Sequence, residues 1–63
     1  MARYVAQIVN AGSIESTKKI VASTPVQAAI KFAGGEVTFR RNQGRWINIM
    51  PAGAQTTYQF VKA

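Results

Sequence analysis

The stretch STPVQAAIKFAGGEVTFRRNQGRW, residues 23–46, is the most informative part of this 63-residue chain. Its first half has the pattern of a short capped helix, and its second half has the pattern of two strands joined by a turn. Four of the eight Lys and Arg residues of the chain lie in this stretch. The helix indicates that the chain folds, and the basic strands after it indicate what the fold presents to a partner.

The predicted helix has clear signals at both ends. Thr24 can cap the first turn through its hydroxyl, Pro25 suits the first helical position, and Gln27 completes a capping box. Apolar side chains then recur with the spacing of one buried helix face, at Val26, Ala29, Ile30 and Ala33. The pair Gly34-Gly35 provides a residue for the left-handed conformation that ends many helices.

Apolar stretches separated by turn residues predict five strands around this helix. The predicted strands are residues 3–9, 17–23, 36–41, 45–50 and 56–62. Strands 3–9 and 17–23 are expected to form a first hairpin, with a turn at residues 10–13. Residues 42–44 are expected to be the loop of a second hairpin, between strands 36–41 and 45–50. The order ββαβββ predicts one α+β domain, residues 1–63, in which a curved antiparallel sheet, or pseudo-barrel, packs on one helix.

The second hairpin would place its side chains on two faces, because successive side chains of a strand alternate. The apolar set is expected to face the helix, and it consists of Val37, Phe39, Ile47 and Ile49. The other face then presents Thr38, Arg40, Trp46, Asn48 and Met50. Further predicted core residues are Tyr4, Tyr58 and Phe60. For the first strand two choices stay open, since either Tyr4, Ala6 and Ile8 or Val5 and Val9 can face the core.

The charge of the chain is strongly unbalanced. Eight Lys and Arg residues stand against Glu15 and Glu36, so the net charge is +6 and the isoelectric point is about 10.6. Such an excess favours nucleic acid, an anionic membrane surface or an acidic protein face as partner. No apolar run approaches the roughly 20 residues of a membrane span, and residues 1–13 make a poor signal peptide. We therefore expect action inside a cell or a virion, with neither secretion nor a membrane partner.

The residue types of the chain argue against catalysis. It contains no His, Cys or Asp, and its two glutamates lie outside any recognisable motif. General acid–base catalysis and metal binding both need more such groups. Gly34-Gly35 follows the predicted helix instead of preceding it, which is the wrong polarity for binding a phosphate. We expect no catalytic residue, no metal, no cofactor and no small-molecule substrate.

A basic surface on the second hairpin is the strongest functional candidate. Arg40, Arg41 and Arg45 are suited to contact phosphates or to enter a minor groove. Trp46 offers a ring for stacking on a base, and Met50 offers an apolar wedge. The residues that would extend this surface are Asn48, Lys18 and Lys19. As alternatives, Trp46 completes a small core under residues 51–55, the arginines form a solvated rim, and the lysines mark a charged edge strand.

Residues 25–35, PVQAAIKFAGG, resemble the helix of a family of small chromosomal proteins from methanogenic archaea and their viral relatives. That family shows a Pro-x-Gln-Ala-Ala-aliphatic-Lys helix, then an aliphatic strand with arginines, a turn with glycine and a basic returning strand. Its aliphatic and basic positions are matched here by Val37, Phe39, Arg40 and Arg45, and residues 60–62 resemble its last strand. The resemblance implies a small curved sheet with one helix, in a monomer that binds and bends duplex DNA with little sequence preference.

Two departures from that family bear on function. The chain has only residues 51–55 where the family has a long basic loop, with its own Trp and Pro, that contacts DNA. Trp46 stands where the family tends to have a basic residue. These departures fit a fold that is kept while DNA binding is weakened or is replaced by another interaction.

The sequence supports two functional hypotheses. The first is a nucleoid-associated or chromosomal architectural protein that binds duplex DNA through counterion release and local deformation. Six phosphate contacts would give a log–log salt slope of roughly −5. The second is a viral or phage structural module, a virion component or host-protein binder, that binds an acidic protein face or packs between virion subunits through Trp46 or an exposed edge strand.

Overall fold

One helix and five strands form the protein in a computed structural model that describes residues 1–39 and 44–63. In chain order the elements are β1 (Ala2–Asn10), β2 (Ser13–Ala22), α1 (Pro25–Ala33), β3 (Val37–Phe39), β4 (Arg45–Pro51) and β5 (Tyr58–Lys62). All strand pairs are antiparallel, and they join into one five-stranded sheet. The prediction of a small α+β domain with one helix and an antiparallel sheet is confirmed.

The ends of α1 are capped as the sequence predicts. The backbone N–H of Gln27 donates to the Thr24 hydroxyl at 3.1 Å. At the other end Gly34 has φ 76° and its N–H donates to the Ile30 carbonyl at 2.9 Å. Glycine adopts this left-handed conformation without the steric cost that a Cβ brings. Local hydrogen bonds therefore fix where the helix begins and ends.

The buried face of α1 differs from the prediction. Ala28 and Ala29 are fully buried, whereas Val26 is 41% exposed, so the prediction that Val26 belongs to the buried face is wrong. Phe32 and Ala33 in the last turn are packed against the core. The helix is rotated so that its smallest side chains meet the sheet, which lets the helix backbone lie close to the strands.

The strand order is β2-β1-β4-β5-β3, and it contradicts the predicted second hairpin. The last strand, β5, lies between β3 and β4, so that Phe60 pairs with Phe39 on one side and with Ile47 on the other. Phe60 is 2% exposed and its neighbour Val61 is 8% exposed. A strand that buries side chains on both faces needs a position inside the sheet, which a hairpin between β3 and β4 would deny it.

The sheet has two edges. Among the described residues, β2 pairs only with β1, and β3 pairs only with β5. The sheet is therefore open between β2 and β3, and a pseudo-barrel stays a prediction. Helix α1 lies on one side of this sheet and contacts all five strands.

The core lies between α1 and the sheet. Its buried members are Tyr4, Ala6, Ala22, Ala28, Ala29, Ile47, Ile49 and Phe60. The open question about β1 is thereby decided, since Tyr4 and Ala6 face the helix. Two predicted core residues are exposed instead, with Phe39 at 66% and Tyr58 at 37%. Phe39 lies on the edge strand and keeps one side of its ring stacked on Phe60, with 5.4 Å between ring centroids.

The turn between β1 and β2 leads to a stability prediction. Asn10 pairs with Ser13 across a two-residue turn in which Ala11 has φ 52° and Gly12 has φ 82°. Such turns favour Asn-Gly, because Asn tolerates positive φ better than Ala. We expect Ala11→Asn to raise the free energy of unfolding by about 1 kcal/mol, which is roughly 4–8 °C in Tm for a domain of this size. Thermal unfolding followed by circular dichroism measures this change.

The matched control at this turn is Ala11→Val. A β-branched residue at positive φ is strained, so this variant should melt at a lower temperature than the wild type. Equal melting temperatures for the Asn and Val variants would contradict the assigned turn geometry.

Candidate nucleic-acid interface

The side of the sheet away from α1 forms the candidate interface, and we call it the open face. Residues that pair directly across antiparallel strands share a face, so the register assigns each side chain to one side. The open face carries Arg3, Val5, Gln7, Val9, Ile14, Thr17, Lys19, Val21, Thr38, Trp46, Asn48, Met50, Gln59 and Val61. No helix of the described residues covers it.

Four of the predicted site residues share the open face, namely Lys19, Trp46, Asn48 and Met50. The indole Nε1 of Trp46 donates to Asn48 Oδ1 at 2.8 Å, which joins two predicted contact residues into one unit. Val5 lies between Lys19 and Met50, because it pairs with both of them. Strand alternation, which the sequence shows directly, puts Trp46, Asn48 and Met50 on one side. The pairing of β1 with both β2 and β4 adds Lys19 to that side.

Trp46 also has a structural role. It pairs with Val9, and Val61 lies beside it because Phe60, the residue before Val61, pairs with Ile47. Val9 and Val61 are 6% and 8% exposed although they lie outside the core under α1. The partly buried indole thus belongs to a small apolar cluster on the open face, at the opposite end of β4 from the residues 51–55 that were expected to cover it.

Lys18 and Arg45 are separated from these residues. Lys18 pairs with Ala6 and Arg45 pairs with Asn10, which places both on the helix side of the sheet. The guanidinium of Arg45 lies 3.6 Å from a carboxylate oxygen of Glu15, and both side chains are largely exposed, at 65% and 45%. The prediction of one continuous basic surface through Lys18, Lys19 and Arg45 is therefore wrong, because adjacent residues of a strand point to opposite faces.

Arg40 and Arg41 lie outside the described residues 1–39 and 44–63. So do Asn42 and Gln43 of the predicted loop. Their assignment as phosphate contacts and turn residues stays a prediction.

Arg3 is a candidate that the sequence reasoning missed. It pairs with Val21, while Lys19 pairs with Val5, so the two cations are diagonal neighbours on the open face. A recess of about 330 Å³ is lined by both of them. Ala52 also lines this recess, and its backbone N–H donates to the Arg3 carbonyl at 2.9 Å. The alternation of β1 is the signal in the sequence for Arg3, but the sequence is compatible with either face of β1 being buried.

Carboxylates lie away from Arg3 and Lys19. The side chains of the chain supply only two, and Glu15 contacts Asn10 at 3.2 Å and Arg45, both on the helix side. Glu36 directly precedes β3, at the far edge of the sheet, roughly 14 Å across three strand spacings from β1. Surface charges at such a distance are largely screened at physiological salt. The potential of the open face near β1 and β2 is therefore positive.

The described residues lack two kinds of functional feature. Among the residues that the structure describes, no three His, Cys, Asp or Glu side chains come together. Within the same residues no helix is long and apolar enough to cross a membrane. Comparison with protein-family models, with curated proteins and with solved structures finds no match to this chain.

Proposed function

We propose that this protein binds duplex DNA through the open face, largely independently of base sequence and without enzymatic activity. The observation that carries the proposal is the joint presence of Arg3, Lys19, Asn48 and Met50 on a face that no helix covers in the described residues. Basic side chains displace condensed counterions from the phosphates, and this release supplies most of non-specific affinity.

The rest of the open face is suited to the same partner. A row of polar side chains, Thr17, Gln7, Asn48 and Gln59, crosses four adjacent strands. Hydroxyl and amide groups of this kind donate to phosphate and sugar oxygens without reading sequence. Met50, paired with Val5, adds an apolar contact that can enter an opened base step.

The proposal includes the finer features that the resemblance implies. These are a curved sheet of the archaeal chromosomal type, bending or coating of DNA, and a location in a nucleoid or inside a virion. Arg40 and Arg41 would add two phosphate contacts to those of Arg3 and Lys19. In this proposal the open face is the surface that would bend or coat the DNA.

The salt dependence of DNA binding tests the proposal. Arg3, Lys19, Arg40 and Arg41 give four phosphate contacts, so a plot of log K against log salt should have a slope of about −4. This is shallower than the roughly −5 expected for six contacts, because Lys18 and Arg45 face away. Gel shifts with random duplex at several salt concentrations from 50 to 200 mM measure this slope. An absence of any binding at the lowest salt would sink the proposal.

An exposed edge strand favours protein interaction as the second candidate function. β2 runs from Ser13 to Ala22 and, among the described residues, has a partner on one side only. The ammonium of Lys31 donates to the Val21 carbonyl at 2.8 Å and so occupies one outward-pointing group of this edge. The remaining groups can pair with a strand of a virion subunit or a host protein. Stoichiometric co-purification with such a partner, together with no DNA binding, would favour this candidate.

A further inference from the structure

A cavity of about 600 Å³ lies where α1 ends, lined mostly by helix-side residues and also by Trp46 and Val61 of the open face. Helix α1 has only nine residues, and its last turn contributes Phe32 and Ala33 to the cavity wall. Ile8 and Ile47, which pair directly across β1 and β4, form the floor. The volume lies within the range of about 300–1,000 Å³ that is typical of small-molecule sites.

Two cations also line this cavity. Lys62 belongs to β5 and has no ion pair among the described residues, and Arg45 belongs to β4. Arg45 meets Glu15 at 3.6 Å, but both side chains are largely exposed. An exposed ion pair of this kind is weak, so the guanidinium can still bind a second anion. An apolar floor and a cationic side are thus combined in one site.

We propose that this cavity binds a small amphipathic carboxylate. Its hydrocarbon chain packs on Ile8, Phe32 and Ile47, and its carboxylate accepts hydrogen bonds from Lys62 and Arg45. Apolar burial supplies affinity, and a charge-assisted hydrogen bond selects the anion over a neutral chain of equal length. Trp46 belongs both to the open face and to the cavity lining, but the cations differ, since Arg45 and Lys62 line the cavity and Arg3 and Lys19 lie on the open face. This inference therefore stands independently of the proposed function.

Equilibrium dialysis of the full chain with decanoate tests the proposal, with decanol as the neutral analogue. We expect saturable binding of one decanoate per chain with a Kd below about 1 mM, and at least about tenfold weaker binding of decanol. Trp46, which also lines the cavity and is the sole tryptophan of the chain, should change its fluorescence in the same concentration range. Non-saturable binding, or equal binding of the two probes, would overturn the proposal.

Two variants locate the site. Ala33→Leu fills the cavity, and the double variant Arg45→Gln with Lys62→Gln removes its cations, so each should weaken decanoate binding about tenfold or more. The matched control, Lys18→Gln with Lys19→Gln, removes two charges outside the cavity and should leave decanoate binding unchanged. An equal loss in the control would show that decanoate responds only to net charge. Unchanged binding in either cavity variant would place decanoate outside this cavity. Both outcomes contradict the proposal. Far-UV circular dichroism confirms that each variant is folded.

Discussion

Lys19→Glu is expected to weaken binding of random duplex DNA by about 10–100-fold, whereas Lys18→Glu should weaken it by less than about threefold. The two lysines are adjacent in sequence and exposed, but Lys19 lies on the open face and Lys18 lies on the helix side. A charge-assisted hydrogen bond to phosphate contributes about 1.5–3 kcal/mol, and a carboxylate at the same place adds repulsion. Both variants change the net charge equally, so the difference between them reports the face that binds.

Fluorescence anisotropy with a labelled random duplex measures both affinities at one low salt concentration. The salt slope should also become shallower by about one for Lys19→Glu and stay unchanged for Lys18→Glu. The weakening should be uniform across duplexes of different sequence. Equal losses for the two variants would mean that DNA senses only the net charge, and a larger loss for Lys18→Glu would move the interface to the helix side.

Phe60→Ala is expected to unfold most of the protein. Phe60 is one of the two largest fully buried side chains, and it joins β4 to β3 through its pairs with Ile47 and Phe39. Loss of a buried phenylalanine costs about 3–5 kcal/mol, and a domain of this size has a total stability of only about 3–9 kcal/mol. Urea denaturation followed by circular dichroism should therefore show little or no folded baseline for this variant.

Phe39→Ala is the matched control for that prediction. Phe39 is 66% exposed, so its truncation removes little more than the stacking on Phe60 and should cost about 0.5–1.5 kcal/mol. The predicted hairpin between β3 and β4 would have put Phe39 in the core, where both truncations would be similarly damaging. Comparable losses of stability in the two variants would therefore contradict the interior position of β5.

Several features were predictable because they depend on residues a few positions apart. The helix is one of them, since Thr24, Gln27 and Gly34 act through hydrogen bonds within one turn of chain. The first hairpin is another, since its two strands are joined by a turn of two residues. The shared face of Trp46, Asn48 and Met50 was also predictable, because alternation is a property of the single strand.

The position of β5 was not predictable in the same way. The apolar pattern of β3 and β4 is compatible with two arrangements. The two strands can pair with each other, or both can pair with a third strand that lies between them. The adjacent pair Phe60-Val61 was the available signal, because neighbouring apolar residues that are both buried indicate a strand covered on its two faces. Arg3 was missed for a related reason, since either face of β1 could have been the buried one.

Four properties follow from the residues as they stand along the chain, namely the capped helix, the first hairpin, the α+β class and the excess of positive charge. Three others appear only in the folded protein: the order of the strands, the rotation of α1 that buries Ala28 in place of Val26, and the division of the lysines and arginines between two faces. The physical reason is that turns and caps are local, whereas strand order depends on pairing between residues as distant as Phe39 and Phe60. Such pairing is decided by how much apolar surface the whole sheet and helix bury together.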